Sequence, residues 1–275
     1  MKGKTMSIDK LSSINIAEAN KPRKNNALLI VLILGGIFFF FSLSQLPIDY
    51  SKLIEGSAKF LSTLTVMLPP DMTYWREVLL AALESLQVAI VGTVIAIILG
   101  LLLSFPAAEN LTPHPSIAWG IKGFASFLRA IPTLIWALIF IVAVGMGPFT
   151  GILAITVGAT GMLIKVFSQS IEEIDEGVIE AMKATGASWT SIVIHGVIPT
   201  VLTAFLAWCI LRLEGDIAES TILGAVGAGG IGWELMHAMR LYKFDQAFFV
   251  ALVIFAMVFS VELVTNRLKM RLKTK

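Results

Sequence analysis

Four charged side chains fall within eight residues directly after a long apolar run. The run ends at Leu211, and the chain continues Arg212-Leu-Glu214-Gly-Asp216-Ile-Ala-Glu219. A charge at membrane depth costs about 2.5–3.5 kcal/mol on insertion scales, so such groups should line water or pair internally. Arg212 and Asp216 are four residues apart and can meet on one helical face. The spacing predicts a polar break at which Arg212 and Asp216 face a pathway; Glu214 and Glu219 fit a pathway and external solvent equally well.

The composition places this segment in an integral membrane protein. Of 275 residues, 56% are hydrophobic and 15% are charged, with a mean hydropathy of +0.84. Soluble domains carry about a quarter charged residues. The net charge of +2 provides no basic field of the kind that nucleic-acid binders use, so no nucleic-acid partner is expected. The single cysteine, Cys209, excludes an intrachain disulfide and a cysteine-based metal site.

Six segments are interpreted as membrane spans, for which about 20 apolar residues are needed, although the fifth stays apolar only to Leu211. They lie at about 27–46, 78–105, 121–145, 149–167, 199–211 and 247–264. The pattern predicts an all-α membrane protein with six transmembrane helices. Its parts would be an N-terminal lead-in at 1–26, a first transmembrane helix at 27–46, a five-helix core at 78–268 and a basic tail at 269–275.

Lysine and arginine at both ends predict the orientation. Basic residues mark the cytoplasmic flanks of membrane spans. Before the first span they are Lys2, Lys4, Lys10, Lys21, Arg23 and Lys24, and after the last span they are Arg267, Lys269, Arg271, Lys273 and Lys275. Both termini are therefore expected in the cytoplasm, with residues 47–77 outside.

One long cytoplasmic connection, residues 172–195, should fold as a helix–turn–helix. Four acids, Glu172, Glu173, Asp175 and Glu176, come first, where a helix favours negative charge. Gly186 suits the left-handed residue at a helix end, and Ser188 can cap a following helix that starts at Trp189. An amphipathic helix of this kind can dock into a groove of a partner protein.

Residues in this connection resemble the EAA loop of importer-type ABC permeases. The resemblance is carried by Glu180-Ala181-Met182, Gly186 and Ile198-Pro199, with Met182 in place of the loop's second alanine. It implies a cytoplasmic coupling helix that inserts into a separate ATPase subunit, with Glu180, Ala181, Gly186 and Pro199 as coupling residues. An ordinary hairpin between two spans is the alternative.

Most of the chain from residue 78 onward is similar to the phosphonate permease family. The similarity rests on the runs that begin at Arg129 (Arg-Ala-Ile-Pro-Thr-Leu-Ile-Trp), Gly145 (Gly-Met-Gly-Pro-Phe) and Thr221 (Thr-Ile-Leu-Gly-Ala-Val-Gly-Ala-Gly-Gly-Ile-Gly). It implies an importer-type ABC permease fold in a bacterial inner membrane and passage of phosphonate, phosphite or a related phosphorus oxyanion. The implied partners are two ATPase subunits, an external substrate-binding protein and a second copy of this chain.

This sequence departs from that family at one informative place. Asp216-Ile217-Ala218 stands where the family usually has Asn-Val-Arg, so the family's arginine is absent. The four charges at 212–219 sum to −2, although the implied cargo is an anion. Arg129 and Arg212 are the remaining cationic candidates for the pathway.

Glycines and a proline mark further candidate positions along the pathway. Gly227, Gly229 and Gly230 belong to a formal G-x-G-x-x-G match, which requires a strand–helix context that these spans do not offer. Close helix approach or a re-entrant turn is the better interpretation. Pro132 lies inside the third predicted span and is expected to kink it near the pathway.

Enzymatic chemistry is not expected from this chain. It has no G-x-x-x-x-G-K-[ST] phosphate loop, so ATP would be used by the partner subunit and no cofactor is bound here. His114, His195 and His237 show no metal-ligand spacing. The alternatives are an ABC permease for a different small solute, a membrane scaffold that transports nothing, and a self-sufficient secondary transporter.

Overall fold

A computed structural model of the protein describes residues 26–46 and 49–273. Within these residues it contains helices and turns but no strand. We number the helices α1 (Asn26–Gln45), α2 (Tyr50–Met67), α3 (Trp75–Ala107), α4 (Pro115–Ala130), α5 (Thr133–Val144), α6 (Pro148–Glu172), α7 (Glu176–Ala184), α8 (Trp189–Ala225), α9 (Ile231–Arg240) and α10 (Phe244–Lys273). The predicted lead-in, apart from Asn26, and the last two residues of the predicted tail lie outside the described residues.

Among the described residues, five helices are long and apolar enough to cross a membrane: α1, α3, α6, α8 and α10. The sixth span, predicted as one helix over 121–145, is instead two helices, α4 and α5, which meet at 85°. The bend follows from Pro132, because the residue before a proline is driven out of the helical region. Ile131 is accordingly extended, with φ −98° and ψ 118°. The pair α4–α5 is a broken span or a re-entrant loop.

The chain divides within α2, between Lys59 and Phe60, into two units. The first contains α1, which is predominantly apolar and has no charged residue. The second contains α3 to α10 and holds the core described below. Helix α2 lies in the segment predicted only as an external connection, so the sequence analysis missed it.

The core of the second unit is built on α3 and α6, which pack closely through small residues. A Cβ placed on Gly92 would lie 2.8 Å from Ile155 Cγ2, and one on Gly100 would lie 2.8 Å from Leu163 Cβ. Ala89 and Ala96 are fully buried on the same helix. Small residues let membrane helices approach and gain dispersion contacts where lipid removes the usual hydrophobic driving force. Helix α8 and the α4–α5 bend pack against this pair of helices.

Candidate functional site

Helix α8 runs without interruption through the charged segment. The polar break predicted after Leu211 is absent, since the α-helix continues from Ile198 to Ala225. Pro199 lies within α8, where the π-helical turn Ile192–Val197 gives way to the α-helical part. The charges are tolerated inside the helix because they pair with one another and with neighbouring helices, which removes the reason to unwind.

Arg212 is the centre of a buried ion-pair network. Its Nη2 pairs with Asp216 one turn along α8 and with Glu219 Oε2 at 3.0 Å. The Asp216 side chain is fully buried, and its Oδ2 accepts a 2.7 Å hydrogen bond from Thr93 Oγ1 on α3. Asp216, predicted to face the pathway, is therefore enclosed between α3 and α8, where it holds the Arg212 guanidinium in place.

Glu214 lies on a different face of α8. Its Oε2 accepts 2.7 Å from Lys269 Nζ and 2.9 Å from Thr265 Oγ1, both on α10. Its charge is thus neutralised away from Arg212. The four charges at 212–219 do not act as one group, and their sum says little about the field in any single cavity.

A cleft of about 490 Å³ lies between the α4–α5 bend, α6 and α8. Its charged lining consists of Arg129, Lys165, Arg212 and Glu219, a net charge of +2. Pro132 contributes to the wall at the bend. The cleft brings together three residues that the sequence predicted for the pathway, Arg129, Pro132 and Arg212, and it adds Lys165, which the sequence analysis missed as a cleft residue.

Gly161, which has no side chain, lets Arg129 pack directly against α6. A Cβ on Gly161 would lie 3.0 Å from Arg129 Cγ and 2.9 Å from the Ala125 carbonyl oxygen. Gly161 therefore lets α4 and the arginine stem lie flat on α6. Lys165 follows one turn later on the same helix, which is the spacing that could have marked it beside Arg129.

A smaller cleft of about 200 Å³ adjoins the first. The two share Arg129, Lys165 and Gln169, and the smaller one is also lined by Lys122 and Glu172. Lys122 Nζ lies 2.8 Å from Glu172 Oε1 and 2.7 Å from Glu109 Oε1. The hydrogen bond and charge of Lys122 hold the pKa of Glu109 below its ordinary range. Together the two clefts form a strip of four cations that ends at this ion-pair cluster.

The three predicted glycines lie elsewhere, in the turn between α8 and α9. Gly227, Gly229 and Gly230 all have positive φ, between 79° and 106°, and none lines the clefts. Gly147 N–H donates to Gly227 O at 3.0 Å, and Ile231 N–H donates to Ser85 Oγ at 2.9 Å. The turn thus docks on α3 and on the start of α6, as the close-approach interpretation requires.

The connection after α6 contains a short helix, α7, with both ends capped. Asp175 accepts from Gly177 N–H at 2.7 Å, and Gly186 takes φ +75° just after the helix. Ile179 is buried against the bundle, whereas Glu180 and Ala181 are exposed. Ser188 caps the next helix through Ser191 N–H. The exposed face of α7 is therefore available to another protein.

Comparison with known proteins places the chain in a family. Residues 92–274 match the family described as binding-protein-dependent transport system inner membrane component. The phosphite transport system permease protein PtxC of Stutzerimonas stutzeri is 35% identical over 226 residues, which cover 82% of each chain. The chain belongs to this permease family. Its role is therefore that of a membrane transport subunit and not of an enzyme.

A second relative and a solved structure agree with this assignment. The phosphate-import permease protein PhnE of Mycolicibacterium smegmatis is 35% identical over 222 residues, which span 80% of this permease but only 42% of that relative. In fold, the permease resembles the inward-facing MetNI methionine ABC transporter, with a TM-score of 0.62 and 23% identity over 73% of this chain and 97% of that one. The predicted all-α, importer-type permease fold is confirmed.

Proposed function

We propose that this permease is the pathway subunit of an ABC importer for phosphorus oxyanions, the class that includes phosphite, phosphate and phosphonates. The observation that carries the proposal is the cleft in which Arg129, Lys165 and Arg212 face one carboxylate, Glu219. Cationic groups are the natural partners of tetrahedral oxyanions, and guanidinium binds them with two parallel N–H groups. The named substrates of the relatives, phosphite and phosphate, have this chemistry.

The same geometry explains how the cleft can be positively charged although Ala218 stands where the family has an arginine. Glu214 is neutralised by Lys269. Asp216 lies outside the cleft lining but pairs with Arg212, and with its charge counted the cleft still has a net charge of +1. Lys165 enters from α6 and adds a cation that the local charge count on α8 omits. The net charge of the cleft is positive without the family's arginine.

Energy for uptake would come from partner subunits. The proposed assembly contains two copies of this permease, two ATPase subunits that use ATP, and an external binding protein that delivers cargo. The coupling element is α7 within residues 172–195. Glu180 and Ala181 lie on its exposed face, Gly186 follows its last turn, and Pro199 lies at the start of the α-helical part of α8. Both termini and α7 would be cytoplasmic, in the bacterial inner membrane, with the five-helix core at 78–268 forming the conduit.

ATP would act by population shift, because a nucleotide moves a conformational equilibrium only as far as it binds one state better than the other. Closure of the ATPases would move α7, and the contacts of α7 with α8 would carry that movement to the cleft.

Growth on defined phosphorus sources tests the substrate class. A host deleted for this gene and complemented with it should grow on phosphite, phosphate or a phosphonate as sole phosphorus source. Lys165→Gln should slow growth on limiting phosphite, whereas Arg240→Gln, a matched loss of an exposed cation outside the clefts, should not. Equal growth of all strains on every phosphorus compound would contradict the proposal.

A further inference from the structure

Two carboxylates pair with the single positive charge of Arg212. Its Nη2 serves both Asp216 and Glu219, while Nη1 reaches only the Met162 sulfur at 3.7 Å and the buried Nε has no hydrogen-bond partner in the described part of the chain. Two carboxylates on one guanidinium leave an excess charge of −1 in a partly buried site, which is an unfavourable arrangement.

The two carboxylates are held very differently. Asp216 is fully buried and is fixed by Thr93 as well as by Arg212. The Glu219 side chain keeps 30% of its surface exposed and lines the cleft, and Arg212 is the one cation paired with it among the described residues. Glu219 is therefore the carboxylate that can leave.

We propose that Glu219 is a resident anion that occupies the oxyanion position on Arg212 and is displaced by cargo. This inference rests on the proposed function. Glu219 Oε2 lies 3.0 Å from Arg212 Nη2, the distance at which an oxygen of a tetrahedral oxyanion would accept the same N–H group. Cargo that enters the cleft replaces Glu219, which turns toward the open side. Nη1, which contacts the sulfur of the cleft-lining residue Met162, supplies a further donor to the cargo.

Displacement keeps the affinity of the conduit low. Every oxyanion bound at Arg212 gives up part of its binding free energy to remove Glu219, and the returning carboxylate helps to expel the cargo. A conduit must release what it carries, so a weak, competitive site suits transport better than a tight one. Glu219 also sets the charge preference, since its removal makes the cleft more positive.

Equilibrium binding of radiolabelled phosphite to the permease–ATPase complex in nanodiscs, without the binding protein, tests the inference. Glu219→Gln should bind phosphite at least about tenfold more tightly than the unsubstituted complex, because one like charge near the anion is removed. Glu219→Asp should lie between the two. Glu214→Gln is the matched control on the same helix and should leave the dissociation constant unchanged, because Glu214 faces Lys269 and not the cleft.

The outcomes separate the inference from the proposed function. An unchanged or weaker phosphite affinity in Glu219→Gln overturns the displacement, while phosphite binding by the unsubstituted complex still supports the substrate class. Equal tightening in Glu219→Gln and Glu214→Gln also overturns it, since that result indicates a general charge effect. If Glu219→Gln binds neither phosphite nor phosphate, the displacement is wrong, while the growth test on defined phosphorus sources still decides the substrate class.

Discussion

Met182 on α7 lies directly against Gly196 at the start of α8. A Cβ built on Gly196 would be 2.5 Å from the Met182 sulfur, and Gly196 is buried within the π-helical turn Ile192–Val197. Met182 replaces the second alanine of the EAA loop, and its larger side chain is accommodated by Gly196 on the facing helix. The pair ties the proposed coupling helix to the long helix that lines the cleft.

This contact predicts compensation between two substitutions. Gly196→Ala should lower the free energy of unfolding by less than about 1 kcal/mol, because the added methyl displaces only the flexible end of the Met182 side chain. Met182→Ala makes room for that methyl, so the double variant should lose less than the two single losses combined. Unfolding of the purified permease by denaturing detergent gives the three values. Simple additivity would mean that the two side chains are not coupled.

Gly186 provides a test of coupling in which a new side chain meets no steric clash with neighbouring residues. No atom lies within 4 Å of a Cβ placed there, so only its φ of +75° opposes a side chain. Gly186→Val should hydrolyse ATP in the assembled complex while uptake falls, since a β-branched residue disfavours this conformation strongly. Gly186→Asn should keep uptake, because asparagine tolerates left-handed backbone.

Membrane insertion and assembly with the ATPase are the controls for both Gly186 variants. Uptake at the full rate by Gly186→Val would count against the coupling role of α7.

Gly230 predicts a large effect on folding. Its φ is +79°, and a Cβ would overlap Ser85 Oγ, which accepts the Ile231 N–H hydrogen bond. Gly230→Ala should therefore destabilise the permease by about 1–3 kcal/mol or more through backbone strain and overpacking. Gly215→Ala is the matched change on α8, with nothing within 4 Å, and should be neutral or slightly stabilising. Thermal aggregation midpoints in detergent compare the two, and equal midpoints would show that the turn does not need glycine.

The Lys122 cluster predicts a loss of stability in acid. Lys122 lowers the pKa of Glu109 below its ordinary value of 4.5. A carboxylate with a depressed pKa stabilises the folded state above its unfolded pKa and loses that contribution as the pH falls through the folded value. The stability advantage of the unsubstituted permease over Glu109→Gln should therefore be constant from pH 7 to 6 and shrink below pH 4.5. Thermal unfolding midpoints across this range check the sign, and an advantage that grows in acid would contradict it.

The sequence predicts the elements that depend on local pattern. Long apolar runs locate α3, α6, α8 and α10, and residue types alone predict the end of α7 at Gly186 and the cap of the next helix at Ser188. The 85° bend was predicted only as a kink, because Pro132 forbids a straight helix but does not set the angle. Helix α2 was missed because its apolar content is too low to stand out beside the spans.

The network around Arg212 could not be predicted from sequence in the same way. Its key partner, Thr93, is 123 residues from Asp216, and nothing local links a threonine on α3 to a carboxylate on α8. Likewise, Glu214 and Asp216 are two residues apart but contact different helices. The charges at 212–219 sum to −2, whereas the charged residues that line the cleft sum to +2, or to +1 with the buried Asp216 counted. Three-dimensional packing, and not composition, decides the sign.

ATP-driven uptake of radiolabelled phosphite into proteoliposomes tests the central claim most directly. The vesicles contain the permease with its ATPase partner, and the binding protein is supplied outside. The account predicts uptake that requires ATP, and that falls at least about tenfold in the double variant Arg129→Gln/Lys165→Gln, since each charged hydrogen bond contributes about 1.5–3 kcal/mol. Uphill uptake by the permease alone, or undiminished uptake by the double variant with intact ATP hydrolysis, would contradict it.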